Sequence, residues 1–161
     1  MTENNFLGYV PFKWPPKNGY LRFKIKKLDD DTFSGDYDIL CFGLPTSSDP
    51  REHKMPIIRT RKSKRRIRIH TSTANTNNKG IVDLELDADT YHTIEITYKD
   101  NTDDERTKFE VFVDGQQEAN TLINILQKDD VEIYASYDSN ANGYHPSATN
   151  ILIKDLEFGE N

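Results

Sequence analysis

Apolar and polar residues alternate at period two along most of the chain. Tyr20–Lys26 reads Y-L-R-F-K-I-K, with Leu21, Phe23 and Ile25 on one face. Arg65–His70 turns Ile67 and Ile69 inward and Arg66, Arg68 and His70 outward. Gly80–Leu86 turns Val82, Leu84 and Leu86 inward, with Asp83, Glu85 and then Asp87 on the opposite face. Tyr91–Tyr98 offers Ile94, Ile96 and Tyr98, and Lys108–Val113 offers Phe109, Val111 and Val113. Asp36–Gly43 carries apolar residues on both faces and predicts a strand covered on both sides, and Val131–Ala135 and Ile151–Phe158 complete the set. Alternation over four to eight residues is the signature of a half-buried strand.

Between these runs lie stretches rich in Asn, Asp, Gly, Ser, Thr and Pro: Pro45–Asp49, Thr71–Gly80, Asn101–Thr107 and Asp138–Ser147. Their short polar side chains bond the local backbone and favour turns. The unit Tyr91–Gln117 is the clearest architectural signal. It reads as two amphipathic strands joined by a charged loop, the second ending at an Asp114-Gly115 corner. Gln117–Gln127 is the best helix candidate, with Leu122, Ile123 and Leu126 near helical spacing, and reads equally as a strand with a bend. About nine or ten strands with short connections predict an all-β fold, an antiparallel two-sheet β-sandwich. We expect one domain over residues 1–161, with residues 1–18 as an N-terminal arm or edge strand.

Composition agrees with that picture. Of the 161 residues, 35% are hydrophobic and 30% charged, which suits strands that bury only alternate residues. Cys41 is the only cysteine, so no intrachain disulfide can form, and its neighbours Leu40 and Phe42 predict a small buried hydrophobe. The first residues hold no basic segment followed by an apolar one, and no run approaches the ~20 apolar residues that span a bilayer. The expectation is a cytoplasmic protein with no membrane insertion, export by an unconventional route remaining open. The net charge of −6 argues against a nucleic-acid partner, although the charge is uneven: 59–68 is strongly basic, while 29–31 and 100–105 are acidic.

The order of segments then carries a resemblance. YLRFKIKK is followed by DYDILCFG, KRRIRIH, YHTIEITY, KFEVFVDGQQ, VEIYAS and NILIKDLEF. With His92 entering TIEITY and the V-x-V-D-G of Val111–Gly115, this order resembles the concanavalin A-like lectin/glucanase superfamily, in its laminin G-like and galectin-like jelly rolls. The resemblance covers most of Gly19–Phe158 and implies a sugar ligand. The chain departs from it at two points. The galectin signature (His-x-Asn-x-Arg, then Trp-Gly-x-Glu) is absent, and the only Trp is Trp14 in KWPPK.

Three constellations offer chemistry. Arg66, Arg68 and His70 share a strand face, with Arg59 and Arg61 close in sequence, and Thr71–Asn78 follows with the amides of Asn75 and Asn77. Guanidinium forks suit carboxylates, sulfates and phosphates, and amides suit sugar hydroxyls. Together these residues form the expected ligand site, and the same residues also suit a solvated face that balances the acidic loops. Asp83, Glu85 and Asp87 alternate like the acidic residues of superfamily glycosidases, at ~6–7 Å intervals along a strand. The family's order is Glu-x-Asp-x-Glu, however, and the chain lacks cleft tryptophans, so the expectation is no enzyme. Asp138–Gly143 opens like a calcium loop, but the twelfth position is Thr149 rather than Glu, and a metal-free turn is favoured. No cofactor is expected, and the four histidines form no zinc-ligand pair.

The function expected from the sequence is non-catalytic carbohydrate binding, for acidic or polar glycans or a glycoprotein, with a homodimer as an analogy only. The alternative is a protein-interaction or structural module on the same fold without a sugar site.

Overall fold

The computed structural model describes residues 6–14, 18–28, 38–43, 56–61, 66–100, 106–124, 131–136 and 151–160. These residues form eleven strands and no helix. They are β1 (Phe6–Trp14), β2 (Asn18–Lys27), β3 (Asp38–Gly43), β4 (Ile57–Arg61), β5 (Arg66–Thr73), β6 (Thr76–Leu84), β7 (Tyr91–Asp100), β8 (Thr107–Val113), β9 (Gln116–Ile123), β10 (Val131–Ser136) and β11 (Ile151–Glu160). One sheet runs β1-β10-β3-β4-β5-β6 and the other β11-β2-β7-β8-β9, with every strand pairing antiparallel. The expected two-sheet antiparallel sandwich is the observed fold.

The alternating apolar residues meet between the sheets. Leu21, Phe23 and Ile25 of β2, Ile94, Ile96 and Tyr98 of β7, and Phe109 and Val111 of β8 supply one wall. Leu40, Phe42, Ile58, Ile67, Ile69 and Leu84 supply the other. Tyr98 and Phe109 are paired across β7 and β8, and their rings meet edge to face at 5.0 Å. That geometry places the positive edge of one ring on the negative face of the other. In β3, Ile39, Leu40 and Phe42 are all buried and belong to this core. The register slips between Asp38 and Leu40, and such a bulge turns successive side chains to the same side. The burial of Cys41 lies outside the described residues.

One expectation changes here, and one open choice is decided. Thr71–Gly80 is not a break. β5 continues to Thr73, Ala74 and Asn75 make a two-residue turn, and β6 starts at Thr76. Thr71, Ser72 and Thr73 are buried, so tertiary burial overrides the loop preference of their hydroxyls. The Thr73 hydroxyl accepts from the amides of Asn75 and Thr76, which pins the turn. Gln116–Ile123 is a strand, not a helix, because the turn at Asp114 (φ 50°) and Gly115 (φ 82°) folds it back onto β8. Positive φ at both central residues is the type I′ geometry that suits tight hairpins, and the Asp-Gly pair supplies it. The Asp114 carboxylate braces the corner: Oδ1 accepts the Thr93 amide at 2.8 Å and Oδ2 lies 2.7 Å from His92 Nδ1.

The outer face of the five-stranded sheet is tied by ion pairs. Glu110 of β8 is 3% exposed, although it points away from the core. Lys99 Nζ and Lys108 Nζ each lie 2.9 Å from its carboxylate, and Gln117 donates to it at 2.8 Å. Arg22 bonds Glu95 and reaches Glu157. On β11 a bulge follows Lys154, where Asp155 takes φ 53° and its carboxylate meets Lys24 at 2.8 Å.

The N-terminal segment contributes β1, the edge strand of the six-stranded sheet, and Trp14 is its last residue, opposite Val131. The calcium-like stretch Asp138–Gly143 lies outside the described residues.

Candidate functional site

The basic strand β5 lies between β4 and β6, one strand in from the edge of the six-stranded sheet. Ile67 and Ile69 sit in the core, so Arg66 and Arg68 project from the outer face. The register sets rows across that face. Asp38 is opposite Arg59, Arg59 opposite Arg68, and Arg68 opposite Asp83. Strands β4, β5 and β6 thus present a row of guanidinium, guanidinium and carboxyl groups, while the Asp38 side chain lies outside the described residues. One step along, Arg61 is opposite Arg66.

The arginines on β5 are held by carboxylates. Arg68 grips Asp83 with two hydrogen bonds: Nε donates to Oδ1, and Nη2 donates to Oδ2 at 2.5 Å. Arg66 Nη2 donates to Glu85 Oε2 at 2.8 Å, just past the end of β6. The two pairs differ in solvent access. The Arg68 and Asp83 side chains are 24% and 13% exposed, while those of Arg66 and Glu85 are 36% and 76%. The inner pair is therefore less screened and more rigid.

The five residues expected to form a ligand site do not come together. His70 does not face solvent as expected: it is buried, at 4% exposure. It lies opposite Ile57, which is also buried but is not part of the intersheet core, so this end of the outer face is covered. A slip in register between Ile69 and His70 occurs at the same place. Asn75 is exposed in the β5–β6 turn. Seven residues along the hairpin from Arg68, it lies ~20 Å away at the usual strand rise, beyond the span of one sugar ring. Asn77 has its backbone in β6, and its side chain lies outside the described residues. Arg66 and Arg68 remain neighbours, and Arg59, Asp83 and Glu85 join them.

In the sequence alone the basic run and the D-L-E-L-D run stand as separate sites. The signal that joins them is their matched alternation on either side of a hairpin. Reading Thr71–Gly80 as a loop hid it, because the turn position sets which residues are opposite.

Among the described residues, no group of three or more His, Cys, Asp or Glu side chains is arranged to hold a metal ion, and no helix is long and apolar enough to cross a membrane.

No protein-family model and no curated protein matches this sequence. Solved structures do match. The binding domain of botulinum neurotoxin serotype D superposes with a TM-score of 0.61 at 14% identity, covering 89% of this chain and 32% of the binding-domain chain. Sheep galectin-11, solved with glycerol, superposes with a TM-score of 0.53 at 9% identity over 98% of both chains. The fold is the concanavalin A-like jelly roll. An alginate lyase from a Chlorella virus superposes with a TM-score of 0.57 at 13% identity, covering 91% of this chain and 72% of the lyase chain. This chain spans about a third of the length of that binding-domain chain. At these identities the likeness establishes the concanavalin A-like fold alone.

Proposed function

We propose that this chain is a non-catalytic carbohydrate-binding module whose ligand lies on the outer face of β4, β5 and β6. One observation carries the reading: the two guanidinium–carboxylate pairs, Arg68–Asp83 and Arg66–Glu85, that stand side by side on this face. A sugar presents adjacent hydroxyls that each donate and accept. A row of rigid donors beside rigid acceptors answers that pattern, and it loses little side-chain entropy on binding because the rotamers are already fixed. Arg59, Arg66 and Arg68 would donate, and Asp83 and Glu85 would accept.

The non-catalytic part of the reading rests on the same pairs. Glycosidic cleavage needs one carboxyl group to hand over a proton and another to attack or activate water. Asp83 and Glu85 are each occupied by an arginine. The fold shared with the galectin and the toxin binding domain is consistent with a binding role.

A glycan array tests the reading. Binding of the wild-type protein to at least one saccharide, lost in Arg68→Ala with the thermal melt retained, is the expected result. No binding to any neutral, sialylated or sulfated glycan overturns the reading. Activity against polysaccharides that disappears in Glu85→Gln would overturn its non-catalytic part.

A further inference from the structure

We infer that Asp83 and Glu85 act as a built-in anion screen: by filling the guanidinium fork of Arg68 and taking one donor of Arg66, they make the outer face accept uncharged polyhydroxyl ligands and turn away sulfated or carboxylated ones. This rests on the reading that the face binds a saccharide. It reverses what the basic run suggests by itself, because five arginines within ten residues (Arg59, Arg61, Arg65, Arg66 and Arg68) look like an acidic-ligand site.

The geometry decides between the two. A sulfate or carboxylate takes an arginine best through two parallel N–H donors. On Arg68 that edge is spent, since Nε and Nη2 both point at Asp83. An anionic ligand would have to displace Asp83, and the freed carboxylate would stay next to it as a like charge. Asp83 is only 13% exposed, so little water is present to soften that repulsion. A neutral hydroxyl meets no such conflict. It donates to the exposed carboxylate of Glu85 and accepts from an N–H of Arg66 beside it. The outer pair is weaker: Glu85 is 76% exposed and more easily moved aside, so Asp83 carries most of the screen.

Heparin-agarose, a sulfated saccharide, provides the test, run on the full chain at about 0.1 M salt, where exposed charges are partly screened. Wild type is expected to pass through. Asp83→Asn keeps the side-chain shape, removes the competing charge and is expected to be retained and released by salt. Its affinity should rise about tenfold, the equivalent of one charge-assisted hydrogen bond. Arg68→Ala added to Asp83→Asn should abolish the gain, which assigns it to that guanidinium rather than to net charge. Glu85→Gln, on the exposed pair, should give a smaller gain and serves if Asp83→Asn fails to fold.

Retention of wild type as strong as that of the folded variants overturns the screen, and so does a folded Asp83→Asn protein with no gain. The parent reading is judged separately on neutral glycans. Wild type that binds sulfated but not neutral saccharides overturns the screen and leaves the module standing. Wild type that binds neither overturns the module, and the heparin behaviour of Asp83→Asn still decides whether Asp83 masks Arg68.

Discussion

Glu110 offers the sharpest test of how the five-stranded sheet is held. The perturbation is Glu110→Gln. Burial alone would raise the carboxyl's pKa, but hydrogen bonds from Lys108 and Lys99 and their charges reverse that and hold it at about 2, against an ordinary 4.5. A folded value below the unfolded one stabilises the ionised native state. The contribution is complete above pH 4.5 and is lost as pH falls from there toward 2. The shift corresponds to roughly 3 kcal/mol at neutral pH, an upper bound because both lysine side chains are substantially exposed and screened. By pH 3, roughly 2 kcal/mol of that has gone. A second effect adds to the loss. Lys99 and Lys108 are directly opposite in the β7–β8 register, so without the carboxylate two ammonium groups face each other. Urea denaturation from pH 7 to pH 2.5, comparing wild type with Glu110→Gln, is the assay. The expected gap is about 1–3 kcal/mol at pH 7 and narrows steadily on acidification, as protonated Glu110 comes to resemble Gln. A gap that stays constant with pH would show that Glu110 acts through shape and not charge.

Other expectations follow from the same structure. Asp114→Ala removes the acceptor of the Thr93 amide and the partner of His92 and leaves an alanine at φ 50°, so it should cost about 1–3 kcal/mol in urea denaturation. Thr93 and His92 hold the Asp114 carboxyl below its ordinary pKa, so that bracing acts above the usual carboxylate range and fades as pH falls, and Asp114→Ala should flatten that part of the pH–stability curve. A double-mutant cycle on Arg68 and Asp83 should give a coupling of about 1–2 kcal/mol, against under about 0.5 kcal/mol for the more exposed Arg66–Glu85 pair, and equal couplings would contradict the difference in burial. Phe23→Ala empties a fully buried core position and should cost about 3–5 kcal/mol in the same assay.

Much of the architecture was legible because alternation maps directly onto burial. The triads Leu21–Phe23–Ile25 and Ile94–Ile96–Tyr98 are buried as their spacing predicts. Legibility failed where side-chain chemistry and burial disagree. Thr71, Ser72 and Thr73 read as a loop, yet lie in a buried strand end. Gln116–Ile123 carries Ala, Asn and Leu that serve a helix as well as a strand, and only the Asp114-Gly115 turn decides between them. The site was half legible. Alternation put Arg66 and Arg68 on one face, but their partners Asp83 and Glu85 depend on the turn at Ala74–Asn75, which local sequence does not announce. His70 was misjudged because alternation gives a direction and says nothing about what lies over that face.

The bulge on β11 has a consequence for how these molecules behave in a crowd. β11 is an outermost strand, ten residues long, and an unpaired edge of that length is a template on which another chain can grow a sheet. Asp155, with its positive φ, breaks the run of evenly spaced backbone donors and acceptors in the middle of the edge, and it sets a charged pair with Lys24 beside the break. An incoming strand would find matching groups for only a few residues before losing register. Straightening that edge, by deleting Asp155, should leave the sandwich's core intact and turn a self-limiting molecule into one prone to end-to-end polymerisation.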